Sequence, residues 1–213
     1  MRRFVLVVSC WALAGCPRDN SKPPQADHAL IAISPKLTVR TDAIGDEGKP
    51  ATFVLVDADN HSTEELLVTL TGDLVDDHGA VVGHLRKDEL RIPSGGRRTF
   101  ALVDDHVTAR ASATSAKIEV DSASLPLGPS PMRITEGHVF ADNGRAVAQA
   151  YVINDSDHAG KAIVIAGFYD ADGKPMTRPY SVIELGAGAK QTAQFVGPPG
   201  SKTAYIFIGE TAY

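Results

Sequence analysis

Beyond residue 50 the hydrophobic positions fall into short runs that stop and restart about every ten residues. Phe53-Val54-Leu55-Val56, Leu66 to Leu70, Leu74-Val75 and Phe100 to Val103 are runs of this kind, and Tyr151-Val152-Ile153, Ala162 to Ala166, Phe168-Tyr169 and Ala193 to Val196 repeat the pattern. Their length and their content of Val, Ile, Phe and Thr predict β-strands. No segment carries apolar residues at helical spacing over enough turns to make a helix face. The interruptions are turn formers. Asp76-Asp77-His78-Gly79 and Asp170-Ala171-Asp172-Gly173 predict hairpin turns, because Asp bonds its own following backbone and Gly accepts positive φ. Pro93-Ser94-Gly95-Gly96 and Gly186-Ala187-Gly188 predict a second turn ahead of the next strand.

The two sets of runs and turns follow the same order about 94 residues apart. An internal repeat of that size predicts two homologous domains, roughly 32 to 121 and 132 to 213, joined by a proline-bearing linker at 122 to 131. Strand-rich copies with turns at this interval predict an all-β fold of two tandem antiparallel β-sandwich domains. The chain has two cysteines, Cys10 and Cys16, both within the first 16 residues. The folded part therefore has no thiol for a disulfide, a redox pair, a thiolate metal site or a cysteine nucleophile. The one tryptophan, Trp11, lies in the same leading stretch, so neither domain can hold the Trp and disulfide core of antibody domains.

That leading stretch has its own pattern. Arg2 and Arg3 precede ten apolar-rich residues, Phe4 to Leu13, and Leu13-Ala14-Gly15-Cys16 follows. The arrangement resembles a bacterial lipoprotein signal peptide, 1 to 15, ending in a lipobox. The resemblance implies cleavage before Cys16 and attachment of diacylglycerol to its thiol, with fatty acyl chains such as palmitate holding the protein on a lipid bilayer. Ten residues fall well short of the roughly 20 needed to span a membrane as a helix. Residues 16 to 31, polar and proline-bearing, then read as the lipidated Cys and a flexible tether. Pro17 stands where Asp is the inner-membrane retention signal in enteric bacteria, and by that resemblance the expected location is the outer membrane of the cell envelope.

Asn154 after an alternating strand, then Phe168-Tyr169-Asp170-Ala171-Asp172-Gly173-Lys174, the Leu185-Gly186-Ala187-Gly188 turn and a strand bearing Phe195, resemble the FxLYD family of bacterial immunoglobulin-like domains. The similarity covers about 133 to 209. Ala166 stands where the family has its first aromatic residue, and the first copy has Leu74-Val75-Asp76 at the motif positions. The resemblance implies immunoglobulin-like, extracytoplasmic β-sandwich modules without an established catalytic site.

Charge and chemistry narrow the function classes. The 21 Lys and Arg, less Arg2 and Arg3, leave 19 against 26 Asp and Glu, a net −7 after cleavage with His neutral. This acidic balance argues against nucleic acid as a partner. No Gly-x-Ser-x-Gly elbow, His-Glu-x-x-His or phosphate loop is present, and no enzyme activity or cofactor is expected. Four histidines directly follow Asp, namely His28, His78, His106 and His158, and His61 lies near Asp57 and Asp59. Imidazole beside carboxylate suits zinc or copper, so a metal or small-ligand carrier is the alternative function, although polar turn residues explain the same pattern. Asp170-x-Asp172-Gly173 lacks the further acidic ligands of a calcium loop. All five tyrosines lie in the second copy, and Tyr is favoured at interfaces because one end packs while the other bonds. Tyr180, after Arg178-Pro179, and Tyr213 are the candidate partner-binding residues. The expectation is a membrane-anchored, non-catalytic module that binds an envelope protein or serves a structural role.

Overall fold

The computed structural model describes residues 23–44 and 48–212. The expected signal segment with Leu13, Ala14 and Gly15, the expected lipidation site Cys16, the first part of the expected tether and the candidate Tyr213 lie outside the described residues.

Turn chemistry and strand propensity together fix the elements. Among the described residues one 3-10 turn, His28–Leu30, is capped by Asp27, whose Oδ1 accepts from the Ala29 amide at 2.9 Å. Six strands make the first half: β1 (Ile31–Ile44), β2 (Lys49–Asn60), β3 (Leu66–Val75), β4 (Val81–Ile92), β5 (Arg97–Val103) and β6 (Ser115–Ser124). The second half holds β7 (Met132–Asp142), β8 (Arg145–Asn154), β9 (Gly160–Tyr169), β10 (Pro175–Thr177), β11 (Tyr180–Leu185), β12 (Lys190–Val196) and β13 (Thr203–Ala212). The chain is all-β, and every strand ladder is antiparallel. The stretch assigned from sequence to a linker begins inside β6, which runs on to Ser124.

The halves share one strand order. Sheet β1-β2-β5 corresponds to β7-β8-β12, and sheet β4-β3-β6 corresponds to β9 flanked by β13 on one side and by β10 and β11 on the other. The repeat extends to individual hydrogen bonds. In the hairpin after β3, Asp76 Oδ1 accepts from the amides of His78 and Ala80, and after β9 Asp170 Oδ1 accepts from those of Asp172 and Lys174. Gly79 and Gly173 close these turns at φ 79° and 74°, where a side chain would be strained. The same bulge interrupts both outer ladders, between Thr69 and Leu70 against β6 and between Ile208 and Glu210 against β9.

Each half encloses apolar residues between its two sheets. Val54, Val56 and Ala58 of β2 meet Leu66, Val68, Leu70 and Leu74 of β3 with Phe100 and Leu102 of β5; Ala162, Val164, Ala166 and Phe168 of β9 meet Ala148, Val152 and Phe195 in the other. Strand alternation should send the intervening residues to solvent. It does not do so here. Leu55 and Asp57 are each 1% exposed, Tyr169 is 2% exposed, and Ile165 and Phe207 of the second half belong to the first half's core.

Candidate functional site

The buried outward faces meet along a seam between the halves. Tyr169, the last residue of β9, reaches β2 and β5: its Oη donates to Asp57 Oδ1 at 2.9 Å and lies 2.5 Å from Thr99 Oγ1. Because the single phenolic proton goes to the carboxylate, the Thr99 hydroxyl donates to the phenol oxygen. Burial raises the pKa of Asp57 against the opposing effects of these hydrogen bonds and of Arg97, and burial beside Asp57 raises that of Tyr169. The approach requires Gly167, where an added Cβ would overlap Thr99 Oγ1. Short β10 is held from the other side. Lys36 donates to the carbonyl of Asp172, Thr38 Oγ1 to that of Pro175, and Arg40 Nη1 to that of Met176 at 2.8 Å. Arg178 lies 3.6 Å from Asp88; burial lowers the pKa of the first and raises that of the second, each countered by its partner.

Where the seam opens, a cleft of about 850 Å³ runs between the halves. Glu65, Leu67, Glu89 and Arg91 line it from the first half, and β13 lines it from Ile206 to Thr211. Arg98 lies in its wall with the guanidinium 4.8 Å from the Phe207 ring centre. A second hollow of about 290 Å³ shares Asp88, Glu89, Gly209 and Glu210 with the cleft and reaches Ile163, Ile165, Arg178 and Tyr180.

Tyr180 is the first residue of β11 and is 68% exposed. It pairs with Ile165, and Val182, 54% exposed, pairs with Ile163. Directly opposed residues share a face, so the two form an apolar shelf that continues the buried seam into solvent. The other tyrosines have different settings: Tyr205 packs edge-on against Tyr169 at 5.5 Å, and Tyr151 lies under Lys190 Nζ at 3.5 Å.

The histidines are not brought together. All seven are exposed, and His28, His61, His78, His106 and His158 occupy separate turns. His106 and His158 each bond the Asp before them, and the His78 ring lies 3.5 Å from Asp77. Among the described residues, Asp104, Asp105 and His106 form the one group able to offer three metal ligands. Asp104 is already occupied: it accepts from Arg110 Nε at 2.7 Å, Thr108 Oγ1 at 2.9 Å and the His106 amide at 3.1 Å. Burial alone would raise its pKa, but Arg110 and Thr108 outweigh burial and hold it below the usual carboxylate value. The loop anchors a turn with this group.

Sequence reasoning noted Asp57 only beside His61 and Arg178 only ahead of Tyr180, and it missed the seam residues Asp88, Arg98 and Thr99. Two signals were present. Phe53 to Ala58 and Ala162 to Tyr169 are nearly continuous apolar runs, the mark of strands covered on both faces. Tyr169 also replaces Val75 of the first copy, so the repeat departs from itself at the residue that joins the halves.

No family model matches the chain, and no curated protein is detectably similar to it. Among solved structures, red sea bream transglutaminase aligns at 9% identity over 82% of this chain with TM-score 0.21. This chain spans 29% of that protein. The tandem CBM22-1-CBM22-2 domains of Paenibacillus barcinonensis Xyn10C align at 8% identity over 89% of this chain and 91% of theirs, with TM-score 0.15.

Proposed function

We propose that this chain is a lipid-anchored lipoprotein of the bacterial cell envelope, held at the outer membrane through Cys16, whose tandem β-sandwiches act as a non-catalytic protein-binding module. The observation that carries the binding reading is the exposed Tyr180–Val182 shelf beside the seam. Contiguous exposed apolar surface is a usual ground for a protein contact. Resemblance to the FxLYD family over residues 133 to 209 and the Leu13-Ala14-Gly15-Cys16 motif support the envelope setting. A photo-crosslinking amino acid at Tyr180 in the source cells should capture one reproducible envelope protein, and Tyr180→Ala should abolish native capture of that protein through other crosslinks. Capture unchanged by Tyr180→Ala would remove the shelf from the proposal. Cys16→Ser should move the protein to the soluble fraction, and retention of that variant in the membrane would overturn the anchor.

The metal-carrier reading rests on Asp104, Asp105 and His106 and takes second place, because Arg110 and Thr108 already engage Asp104. Titration calorimetry should show no saturable zinc or copper binding; a saturable site lost in His106→Ala would reverse the order.

A further inference from the structure

We infer that the unpaired edge of β13, from Ile206 to Thr211, takes up an extended peptide of a partner protein as an added strand, with an acidic side chain of that peptide meeting Arg98. The inference rests on the protein-binding reading and gives it a second site and a ligand chemistry.

The repeat supplies the first argument. In the first half the end of the outer edge of β6 is covered at Ala123 and Ser124: Gln25 bridges Ser124, the Ala26 amide donates to the Ala123 carbonyl at 2.8 Å, and the Leu125 amide donates to that of Pro24 at 3.1 Å. The matching bulges align Ala123 with Thr211 and Ser124 with Ala212. Among the described residues the chain ahead of β7 makes no equivalent backbone bridge to β13. Among the described residues β13 pairs with β9 alone. An uncovered edge is a template for another strand.

The cleft supplies the second argument. Six consecutive residues of β13 line it. Alternate side chains of a strand point to opposite faces, so a cavity touching all six runs along the strand's edge. At about 3.3 Å per residue this edge matches an extended peptide of about six residues. The rest of the lining comes from the first half, with Leu67, Asp88, Glu89 and Arg91, and from the start of β7 with the residues before it, between positions 129 and 134, and would flank such a peptide with side chains.

Charge completes the description of the ligand. Arg91 is paired with Glu65 and Arg133 with Asp155. Arg98 is the lining cation with no carboxylate in contact: its Nη1 donates to the neighbouring Arg97 carbonyl, and its Nε is buried without a hydrogen-bond partner. Burial brings its pKa down to about 10, which still leaves it charged at neutral pH. Arg98 lines the cleft, so a carboxylate on the incoming strand can pair with its guanidinium there, and a bond of that kind is among the stronger ones available.

The test uses the lipidated mature chain in detergent micelles and fluorescein-labelled eight-residue peptides of alternating Thr and Val. Each carries one Glu or one Lys, stepped along the sequence. Anisotropy should show saturable binding, at least about tenfold tighter for the best Glu peptide than for its Lys counterpart. Arg98→Met should erase that preference, Arg98→Lys should restore part of it, and Leu67→Trp should weaken every peptide by filling the cleft. In the complex, the amides of residues 206–211 should gain protection from hydrogen exchange. Absence of saturation up to about 1 mM, a Glu preference that survives Arg98→Met, or equal binding of free glutarate would overturn the inference. So would dimerisation of the protein through this edge, seen by sedimentation and abolished by Leu67→Trp. Failure of the peptides alongside a specific Tyr180 adduct would remove this site and leave the binding module standing; peptide binding without such an adduct would keep the site and remove the shelf.

Discussion

Tyr169 is the side chain on which the junction of the halves turns. Its oxygen joins Asp57 and Thr99 across the seam, where both are shut away from water. Tyr169→Phe keeps the ring and deletes the bridge, leaving a buried carboxylate short of a donor. The expected cost is about 1–3 kcal/mol in urea unfolding, and an unchanged midpoint would mean that water replaces the phenol. Asp57 gives a pH prediction with a definite sign. Burial raises its folded pKa above the ordinary 3.8, so between the two values the folded state keeps a proton that the unfolded state has lost. Stability from this source is complete below the unfolded pKa and is lost as pH climbs through the raised one. Asp57→Asn cannot suffer that loss. Its urea midpoint relative to the parent chain should rise from about pH 4 toward neutrality; parallel profiles would show that Tyr169, Thr99 and Arg97 compensate the charge in full.

At the scale of elements the most informative feature is a clamp built twice. Asn60 and Asn154 end β2 and β8, and both are buried. Asn60 Nδ2 donates to the carbonyls of Glu64 and Ile92, and Asn154 Nδ2 to those of His158, Leu185 and Gly186. Each Oδ1 accepts the amide two residues on, from Ser62 and Ser156. One side chain thus ties a strand end, the following turn and a distant strand. Asn154→Ala removes the partner of the buried Leu185 carbonyl, of the part-buried His158 and Gly186 carbonyls and of the Ser156 amide, and should cost about 2 kcal/mol. Ser156→Ala, beside it but half-buried, should cost less; equal losses in thermal unfolding would mean that the turn, not the clamp, carries the energy. The turns themselves were legible in the sequence because their bonds are local: Asp76 and Asp170 reach amides two and four residues away. The division of one strand into β10 and β11 was not legible. It depends on the Ala166 amide finding the Pro179 carbonyl and on β1 gripping β10, contacts between residues far apart in sequence.

For the molecule as a whole, the repeat revealed the strand order of both halves but not how closely they pack, because a repeat describes each copy and is silent about the contact between them. Of the candidate residues, Tyr180 was picked out from its place after Arg178-Pro179, and only its exposure can be seen in the structure, whereas the cleft and Arg98 arise only when β13 is laid against the first half. The seam has a consequence for folding. Leu55, Asp57 and Thr99 are all but inaccessible in the intact chain. A chain cut to residues 23–124 would expose their outward face and remove Ile165 and Phe207 from the core. Exposed apolar surface of this kind lowers stability by about 25 cal/mol per Å² bared and invites association. The intact protein should therefore unfold in one calorimetric transition, while the 23–124 fragment should melt at lower temperature and bind a hydrophobic dye such as ANS. Two separate transitions in the intact chain, with the fragment matching one of them, would mean that the halves are stable independently and that the seam orients them without holding either together.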